Sequence, residues 1–224
     1  MKSRVTLHPV FILHTRPFRD TSLLIDALSM DHGRISLLAR GVRTAKTKLR
    51  GILQPFVPLL MSWSGSAELV SMSKVEALGL PYHLKAKALI SGFYLNELIM
   101  RLLPRYDPYP QLYVAYQQAL IGLHNDQSAE PVLRLFEKSL LSELGYGLQS
   151  NIIPNAWYQF IPGRGLIQCS ASLSEPIFLG KNLLALLAEV FDDAEVLRDA
   201  KRLMRLALQS LLGGRILKTR ELFV

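Results

Sequence analysis

The sequence predicts an α+β protein, in which a five-stranded β-barrel is followed by a mainly helical domain. Three observations support this prediction. Residues 1–80 form short segments in which apolar and polar residues alternate, as in half-buried strands. After Pro81 the apolar spacing changes to about 3.6 residues, as in amphipathic helices. From about 147 to 178 the helical spacing stops, which predicts a small β-hairpin inserted into the helical domain at 81–224.

Each predicted strand ends at a turn signal. In the third strand, Arg34 and Arg40 lie on the face opposite the apolar residues, and Gly33 supplies the turn before it. Pro58 predicts an edge or a bulge in the fourth strand, and Ser64-Gly65-Ser66 joins it to the fifth in a hairpin. Strands this short and this close in sequence favour a small closed barrel. The five predicted strands are 10–16, 21–29, 34–40, 56–63 and 67–78.

The helical domain is predicted to contain five helices around the hairpin. The first is apolar almost all round, which is typical of a helix at the centre of a bundle. Ser128 is a candidate N-cap of the third helix, and Gly145 follows its end. The hairpin covers 157–170, with its turn at Pro162-Gly163-Arg164-Gly165. The predicted helices are 83–103, 111–123, 128–147, 180–191 and 192–214.

Positive charge is concentrated in the first third of the chain. The 224 residues carry a formal net charge of +8, with a sequence pI near 9.7. Residues 1–80 hold eleven basic and five acidic side chains, and the run from His32 to Ala67 holds no acid at all. A solvated face is the usual role of such a run, but the lack of interleaved acids favours an anionic partner.

The basic run predicts contacts to nucleic-acid phosphates. Arg34 and Arg40 lie on one side of a strand about 20 Å apart, at about 3.3 Å per residue. The loop that follows is flanked by Gly41 and Gly51, and its cations would neutralise phosphates without reading bases. Phe18 is a candidate stacking face, whereas core packing is the favoured role of the other three nearby aromatics, Phe11, Phe56 and Trp63. The predicted contact residues are Arg34, Arg40, Arg43, Lys46, Lys48 and Arg50.

The residues predict no catalytic or metal site and therefore no cofactor. The five histidines lack the spacing of a metal-binding helix face, and each is expected at the surface or in a cap. The single cysteine, Cys169, excludes an internal disulfide and indicates a reducing, cytoplasmic compartment. Asp192 and Asp193 are explained by the helix dipole, because they begin the predicted helix 192–214. Without a catalytic constellation, an enzyme is not expected. No apolar run approaches the length of a membrane span, so a membrane protein is not expected either.

Four segments together resemble the RecO family, the bacterial DNA repair and recombination mediators. They are GRISLLARGVRTAKTKLRGILQPFVPL, GFYLNELIMRLL, LRLFEKSLLSELGYG and LGGRILKTRELF, in the order found in the family. Each is weak alone, but the four in order cover nearly the whole chain. The resemblance implies an N-terminal OB-fold barrel joined to a helical domain.

The resemblance also implies function and partners. RecO-like proteins bind single- and double-stranded DNA and anneal complementary strands without nucleotide hydrolysis. They bind the acidic, hydrophobic C-terminal tail of single-stranded DNA-binding protein, associate with RecR, and help RecA recombinase replace the coating protein at gaps. We expect the helical domain to receive that tail in an apolar groove near Arg134 and Lys138, although Arg134 has Glu130 and Glu137 as alternative partners within its own helix.

This chain departs from some family members at the hairpin. Their insertion carries a four-cysteine zinc site, whereas residues 147–178 here hold only Cys169. We therefore predict no metal, and expect the hairpin to be held by apolar packing of Trp157, Tyr158, Phe160 and Leu166.

Two other functional classes remain open. The protein could act chiefly as a peptide-binding adaptor, with both domains contacting proteins. It could also be an RNA-binding OB protein, because charge alone does not distinguish DNA from RNA.

Overall fold

The first part of the chain forms a closed five-stranded barrel. A computed structural model shows the strand order β1-β2-β3-β5-β4, with β4 pairing back to β1. The strands are β1 Ser3–Phe18, β2 Ser22–Ser29, β3 Gly33–Ala39, β4 Pro58–Gly65 and β5 Val70–Ala77. The structure describes residues 3–44, 48–65, 69–148, 151–171 and 176–223.

The predicted alternation of the third strand is confirmed. Ile35, Leu37 and Ala39 are fully buried inside the barrel, while Arg40 is exposed on the outside. All three apolar residues belong to a separate barrel core that also contains Trp63. Closure of the sheet gives this core a complete wall of strands, since β3 and β5 pair in parallel at Leu37.

The first strand is longer than predicted, since it begins at Ser3 rather than Val10. Its early part pairs with β4 and its later part with β2, with a register shift between Ile12 and His14. The polar residues before Val10 hide this pairing in the sequence. Pro58 does not make β4 an edge; it is the first residue of the strand, a position that needs no ladder donor.

Five helices follow, as predicted. Leu95, Leu98 and Ile99 place one side of α1 in the centre of the helical core, but Phe93 is exposed, so α1 is not buried all round. The fourth helix is shorter than predicted, because Glu189 takes a positive φ of 62° and ends it. The helices are α1 Ala86–Leu102, α2 Pro110–His124, α3 Ala129–Glu143, α4 Gly180–Leu187 and α5 Ala194–Leu212.

A small sheet interrupts the helices. The predicted hairpin is formed by β6 Trp157–Ile161 and β7 Gly165–Cys169, and a third strand, β8 Ile177–Leu179, adds to β6. Tyr158 and Leu166 are buried in the helical core, as expected for a hairpin held by apolar packing. The chain ends in a 3₁₀ helix, Lys218–Phe223, which the sequence patterns do not predict.

The barrel and the helices share a core. Phe11, Leu13 and Leu28 point out of the barrel and are buried among the helices. The amide of Asn96 on α1 donates a hydrogen bond of 2.9 Å to the carbonyl of Leu13 and accepts one of 2.6 Å from the hydroxyl of Tyr116. These buried bonds fix the helices against the outer face of the barrel. Among the residues that the structure describes, no helix has the length and apolar character needed to cross a membrane.

Candidate nucleic-acid interface

Arg40 and Arg34 share one face of β3 but have different surroundings. Arg40 is exposed at the end of the strand. Arg34 is half-buried, and its Nε donates a hydrogen bond of 3.1 Å to the carbonyl of Leu103 after α1. Burial lowers the pKa of Arg34, and the charge of Arg105 acts in the same direction. Arg34 therefore lies at the junction with the helices, while Arg40 faces solvent.

The basic loop begins by docking on the neighbouring turn. The backbone N–H of Arg43 donates to the carbonyl of Thr21, and its Nη1 donates to the carbonyl of Arg19, each at 2.9 Å. These bonds connect the β3–β4 loop to the β1–β2 turn. The backbone of Lys48 and Arg50 forms a short 3₁₀ turn, Lys48–Gly51, while their side chains and the whole of Lys46 lie outside the described residues.

Two further cations extend the same surface, and the sequence patterns did not single them out. Arg16 is exposed on β1, in a row with Leu24 of β2 and Leu38 of β3. The guanidinium carbon of Arg19 lies 5.3 Å from the ring centroid of Phe18. Alternation along the end of β1 provides a signal for Arg16, but its neighbours are known only once the strand register is set. We call Arg16, Arg19, Arg40 and Arg43 the barrel cation face.

The barrel cation face is free of carboxylate partners within the described ranges, since none of its four members forms an ion pair there. The buried acid of the same sheet face, Asp26, accepts a 2.7 Å hydrogen bond from the hydroxyl of Ser36 and lies 3.8 Å from Arg105. Half-buried Leu24 and Leu38 separate the cations. This surface combines positive charge with apolar area, which suits a charged chain that carries planar bases.

The aromatic residues near the basic run pack mainly in cores. Phe11, Phe56 and Trp63 are buried, as expected. Trp63 contacts His32, with ring centroids 5.2 Å apart, and His8 lies 4.7 Å from His32. Burial lowers the pKa of His32, and nearby His8 adds to the effect. The described part of the chain holds no group of three or more His, Cys, Asp or Glu residues that is arranged to hold a metal ion.

The two cations expected to bind a partner peptide are committed to contacts within the chain. Arg134 is 5% exposed, and its guanidinium pairs with the buried carboxylate of Glu137 at 2.8 Å, as the alternative interpretation from the sequence allowed. Burial raises the pKa of Glu137, while Arg134 and a 2.6 Å hydrogen bond from the hydroxyl of Tyr94 lower it. Lys138 donates to the carbonyl of Leu187 and pairs with Glu189, both at 2.8 Å.

The structure therefore favours a structural role for Arg134 over the expected peptide contact. Its side chain neutralises the buried acid Glu137, and its Nη1 lies 3.9 Å from the partly exposed carboxylate of Glu130. Lys138 remains partly exposed at 24% of its side-chain surface and keeps access to solvent.

Together these features define an OB-fold protein with an appended helical domain, since the barrel has the strand order and closure of that class. Comparison with known proteins identifies it further. The family model for Recombination protein O N terminal matches residues 1–81, and that for Recombination protein O C terminal matches residues 83–151. The chain belongs to the RecO family of DNA repair proteins.

Curated relatives support this assignment over nearly the whole chain. The chain is 48% identical to DNA repair protein RecO of Coxiella burnetii (strain CbuG_Q212) over 230 residues, which cover 99% of each chain. It is 43% identical to the same-named protein of Methylococcus capsulatus over 99% of this chain and 94% of the relative. A relative from Actinobacillus pleuropneumoniae serotype 7 is 41% identical over 96% of this chain and 93% of its own.

Proposed function

We propose that this protein is a non-enzymatic mediator of DNA repair in the cytoplasm. It binds single- and double-stranded DNA, anneals complementary strands, and helps RecA recombinase load onto gaps coated by single-stranded DNA-binding protein. Membership of the RecO family supports the repair role. The proposal for DNA contact rests on one observation, the exposed barrel cation face without carboxylate partners in the described ranges.

Electrostatics supplies the mechanism of annealing. Two phosphate chains repel each other, so a surface that neutralises one strand lowers the barrier for the second. Each neutralised phosphate releases condensed counterions, and this release favours binding. Arg40 and Arg43 reach the phosphates at the edge of the β3–β4 loop, while Arg16 and Arg19 hold the strand along β1 and its turn. No bond is made or broken in this process.

Salt dependence tests the DNA contact. If each of the four members of the barrel cation face neutralises one phosphate, the logarithm of affinity for a single strand falls with the logarithm of salt concentration with a slope of roughly −3. We expect Arg40→Glu/Arg43→Glu to make this slope shallower and to weaken binding at least tenfold in fluorescence anisotropy. Arg198→Glu/Arg205→Glu is the charge-matched control, because both residues are exposed on α5. An affinity that hardly changes with salt contradicts the proposal.

The finer partners are proposed for the helical domain. We infer that the tail of single-stranded DNA-binding protein binds near Lys138, whose partly exposed ammonium group lies beside the carbonyl that ends α4. We also expect RecR to associate with this RecO-family chain. Lys138→Glu should weaken the affinity for a tail peptide about fivefold to tenfold, while the exposed Lys87→Glu on α1 leaves it unchanged. Equal affinities of the two variants would place the tail elsewhere.

The adaptor hypothesis makes a different prediction. Reversal of Arg43, Lys46 and Lys48 to Glu should abolish strand annealing and preserve tail binding if the mediator hypothesis holds. If annealing survives and partner binding is lost, the barrel acts through protein contacts. Competition between DNA and RNA oligomers for the same protein separates the third hypothesis, an RNA-binding OB protein.

A further inference from the structure

A second cationic surface lies on the helical domain, where α1, α3 and α5 end. A groove of about 240 Å³ opens there. Arg101 in the last turn of α1 and Arg215 after α5 both line it, and Tyr146 after α3 contributes an aromatic wall. The remaining lining is aliphatic and comes from Leu102, Leu144, Leu211 and Leu212.

Nearby carboxylates neutralise the cations around this groove only weakly. The Nη2 of Arg101 lies 3.7 Å from Glu97, which is beyond hydrogen-bonding distance. The carboxylate of Glu97 already accepts the backbone N–H groups of Lys218 and Thr219, at 3.0 and 2.9 Å. Arg215 and Lys218 are exposed, and neither forms an ion pair with a carboxylate in the described ranges. Glu143, which precedes the groove residue Leu144 at the end of α3, is half-buried.

Helix dipoles explain in part why cations lie at these helix ends, but they do not explain why two guanidinium groups line the same groove. A helix end carries about half a negative charge, which favours a nearby cation. The carbonyls at these ends already have backbone donors, however. The N–H of Tyr146 donates to Leu141 at 2.8 Å, and the N–H of Arg215 donates to Leu212 at 3.1 Å. Two guanidinium groups that line one groove therefore remain able to bind an external anion.

The groove lies near the junction with the barrel, because Leu102 lines it and the next residue, Leu103, accepts the hydrogen bond from Arg34 of β3. Arg105 lies four residues after Arg101, beyond the end of α1. Its Nη2 is 3.8 Å from Oδ1 of Asp26 on the outer face of the barrel. Its backbone forms a parallel bridge with Arg34 of β3. On the same sheet face, the row that contains Arg16 and Leu24 lies next to the row that contains Asp26. Arg34 and Arg105 therefore place positive charge at the junction, between the outer face of the barrel and the end of α1 that borders the groove.

We propose that this groove, with Arg101 and Arg215, binds the backbone of the same nucleic-acid strand that occupies the barrel face, and rests a base on Tyr146. The inference rests on the proposed DNA binding and deepens it. Tyr146 is 54% exposed, so its ring is accessible for stacking. The aliphatic lining suits sugars and bases, and the two guanidinium groups suit phosphates. The helical domain therefore lengthens the binding site beyond the barrel.

The test varies oligonucleotide length. A barrel-only site binds a few nucleotides, since OB folds occupy about 4–16 nucleotides each. For oligothymidylates of about 6 to 40 nucleotides, we expect Arg101→Glu/Arg215→Glu to bind the shortest oligomers like the native protein and to lose at least fivefold in affinity for the longest. The salt slope on long oligomers should become shallower by about 1.4, for two lost contacts on single strands. Arg198→Glu/Arg205→Glu on α5 has the same charge change and should show neither effect.

Each outcome has a distinct meaning. If the native length dependence and salt slope persist in Arg101→Glu/Arg215→Glu, the groove proposal is overturned and the barrel proposal stands. If Arg40→Glu/Arg43→Glu leaves binding unchanged at every length, the barrel proposal fails instead. An acidic peptide such as oligo-glutamate provides a further test. If the groove variant loses binding of this peptide but still binds DNA, the nucleic-acid role of the groove is overturned. Urea unfolding and the milder Arg101→Gln/Arg215→Gln variant exclude misfolding as the cause.

Discussion

Arginine side chains have two different roles in this protein, and the role of each depends on whether it is exposed or buried. Arg40 is exposed and carries charge to the surface, whereas Arg134 is buried and neutralises Glu137. A buried ion pair contributes little net stability, but removing one partner typically costs about 3–5 kcal/mol because the other charge remains. A variant of Arg134 is therefore expected to lose stability rather than peptide affinity.

Gly33 provides a sharp test of the contact between the barrel and the segment after α1. Its φ is +65°, and an added Cβ would lie 1.9 Å from the carbonyl oxygen of Asp107. Gly41 has a similar φ of +69°, with nothing within 4 Å of an added Cβ. We expect Gly41→Ala to lose about 1–2 kcal/mol of unfolding free energy from backbone strain. Gly33→Ala should lose clearly more, as measured by urea denaturation, and equal losses would show that the segment moves freely.

Secondary-structure elements are held together by polar contacts at their ends. Glu97 on α1 accepts two backbone N–H groups and the hydroxyl of Thr219, and so anchors the C-terminal 3₁₀ helix. Leu217, just before this helix, is buried in the helical core. These contacts hold the 3₁₀ helix across α1 at Glu97, one helical turn before Arg101, and we call this arrangement the clasp.

The clasp should weaken in acid. Burial raises the pKa of Glu97, but the hydrogen bonds from Thr219 and Lys218 and the charge of Arg101 outweigh it, so the net pKa lies below the ordinary value. A lowered folded-state pKa contributes stability above the unfolded pKa, near 4.3, and that contribution is lost as the pH falls through the folded pKa. We expect hydrogen exchange at Thr219 to speed up below about pH 4 relative to the intrinsic rate.

Glu97→Gln should show fast exchange at Thr219 at neutral pH, because an uncharged amide is a weaker acceptor than a carboxylate. Glu221→Gln is the control, since Glu221 is exposed in the same 3₁₀ helix. Protection in Glu97→Gln equal to that of the native protein would mean that packing of Leu217 alone holds the clasp.

The barrel and the helical domain are expected to unfold as one unit. Phe11, Leu13 and Leu28 are built on barrel strands but buried among helices, so separating the two parts would expose them to water. The buried bonds of Asn96 to Leu13 and Tyr116 add polar groups that would lose their partners. A rigid junction also keeps a constant distance and orientation between the barrel cation face and the helical groove, as the binding of one nucleic-acid strand to both requires.

The two tryptophans report on this coupling, because Trp63 lies in the barrel and Trp157 in the small sheet. The variant Trp157→Phe keeps only Trp63, and Trp63→Phe keeps only Trp157. In each variant, we expect the urea midpoint measured by tryptophan fluorescence to equal the midpoint measured by circular dichroism. If the Trp63 signal changes at a lower urea concentration than the circular dichroism of the same variant, the barrel unfolds independently.

Local sequence patterns were sufficient for the five barrel strands, the five helices and the positive charge of the surface, but not for β8, the start of β1 or the C-terminal 3₁₀ helix. Alternation in 34–40 predicted which residues of β3 face the barrel interior, and the 3.6-residue spacing predicted the five helices. These features depend on neighbours along the chain, which the sequence contains directly. The acid-free run likewise predicted an anionic partner, because charge is set by composition.

Which cations face open solvent depended on contacts between residues far apart in the chain. Arg34 bonds to Leu103, 69 positions away, and Arg16 joins the barrel face through pairing of β1 with β2 and β3. The groove of Arg101 and Arg215 exists because three helices end together. Strand register, barrel closure and helix packing bring these groups together, and no local spacing encodes them.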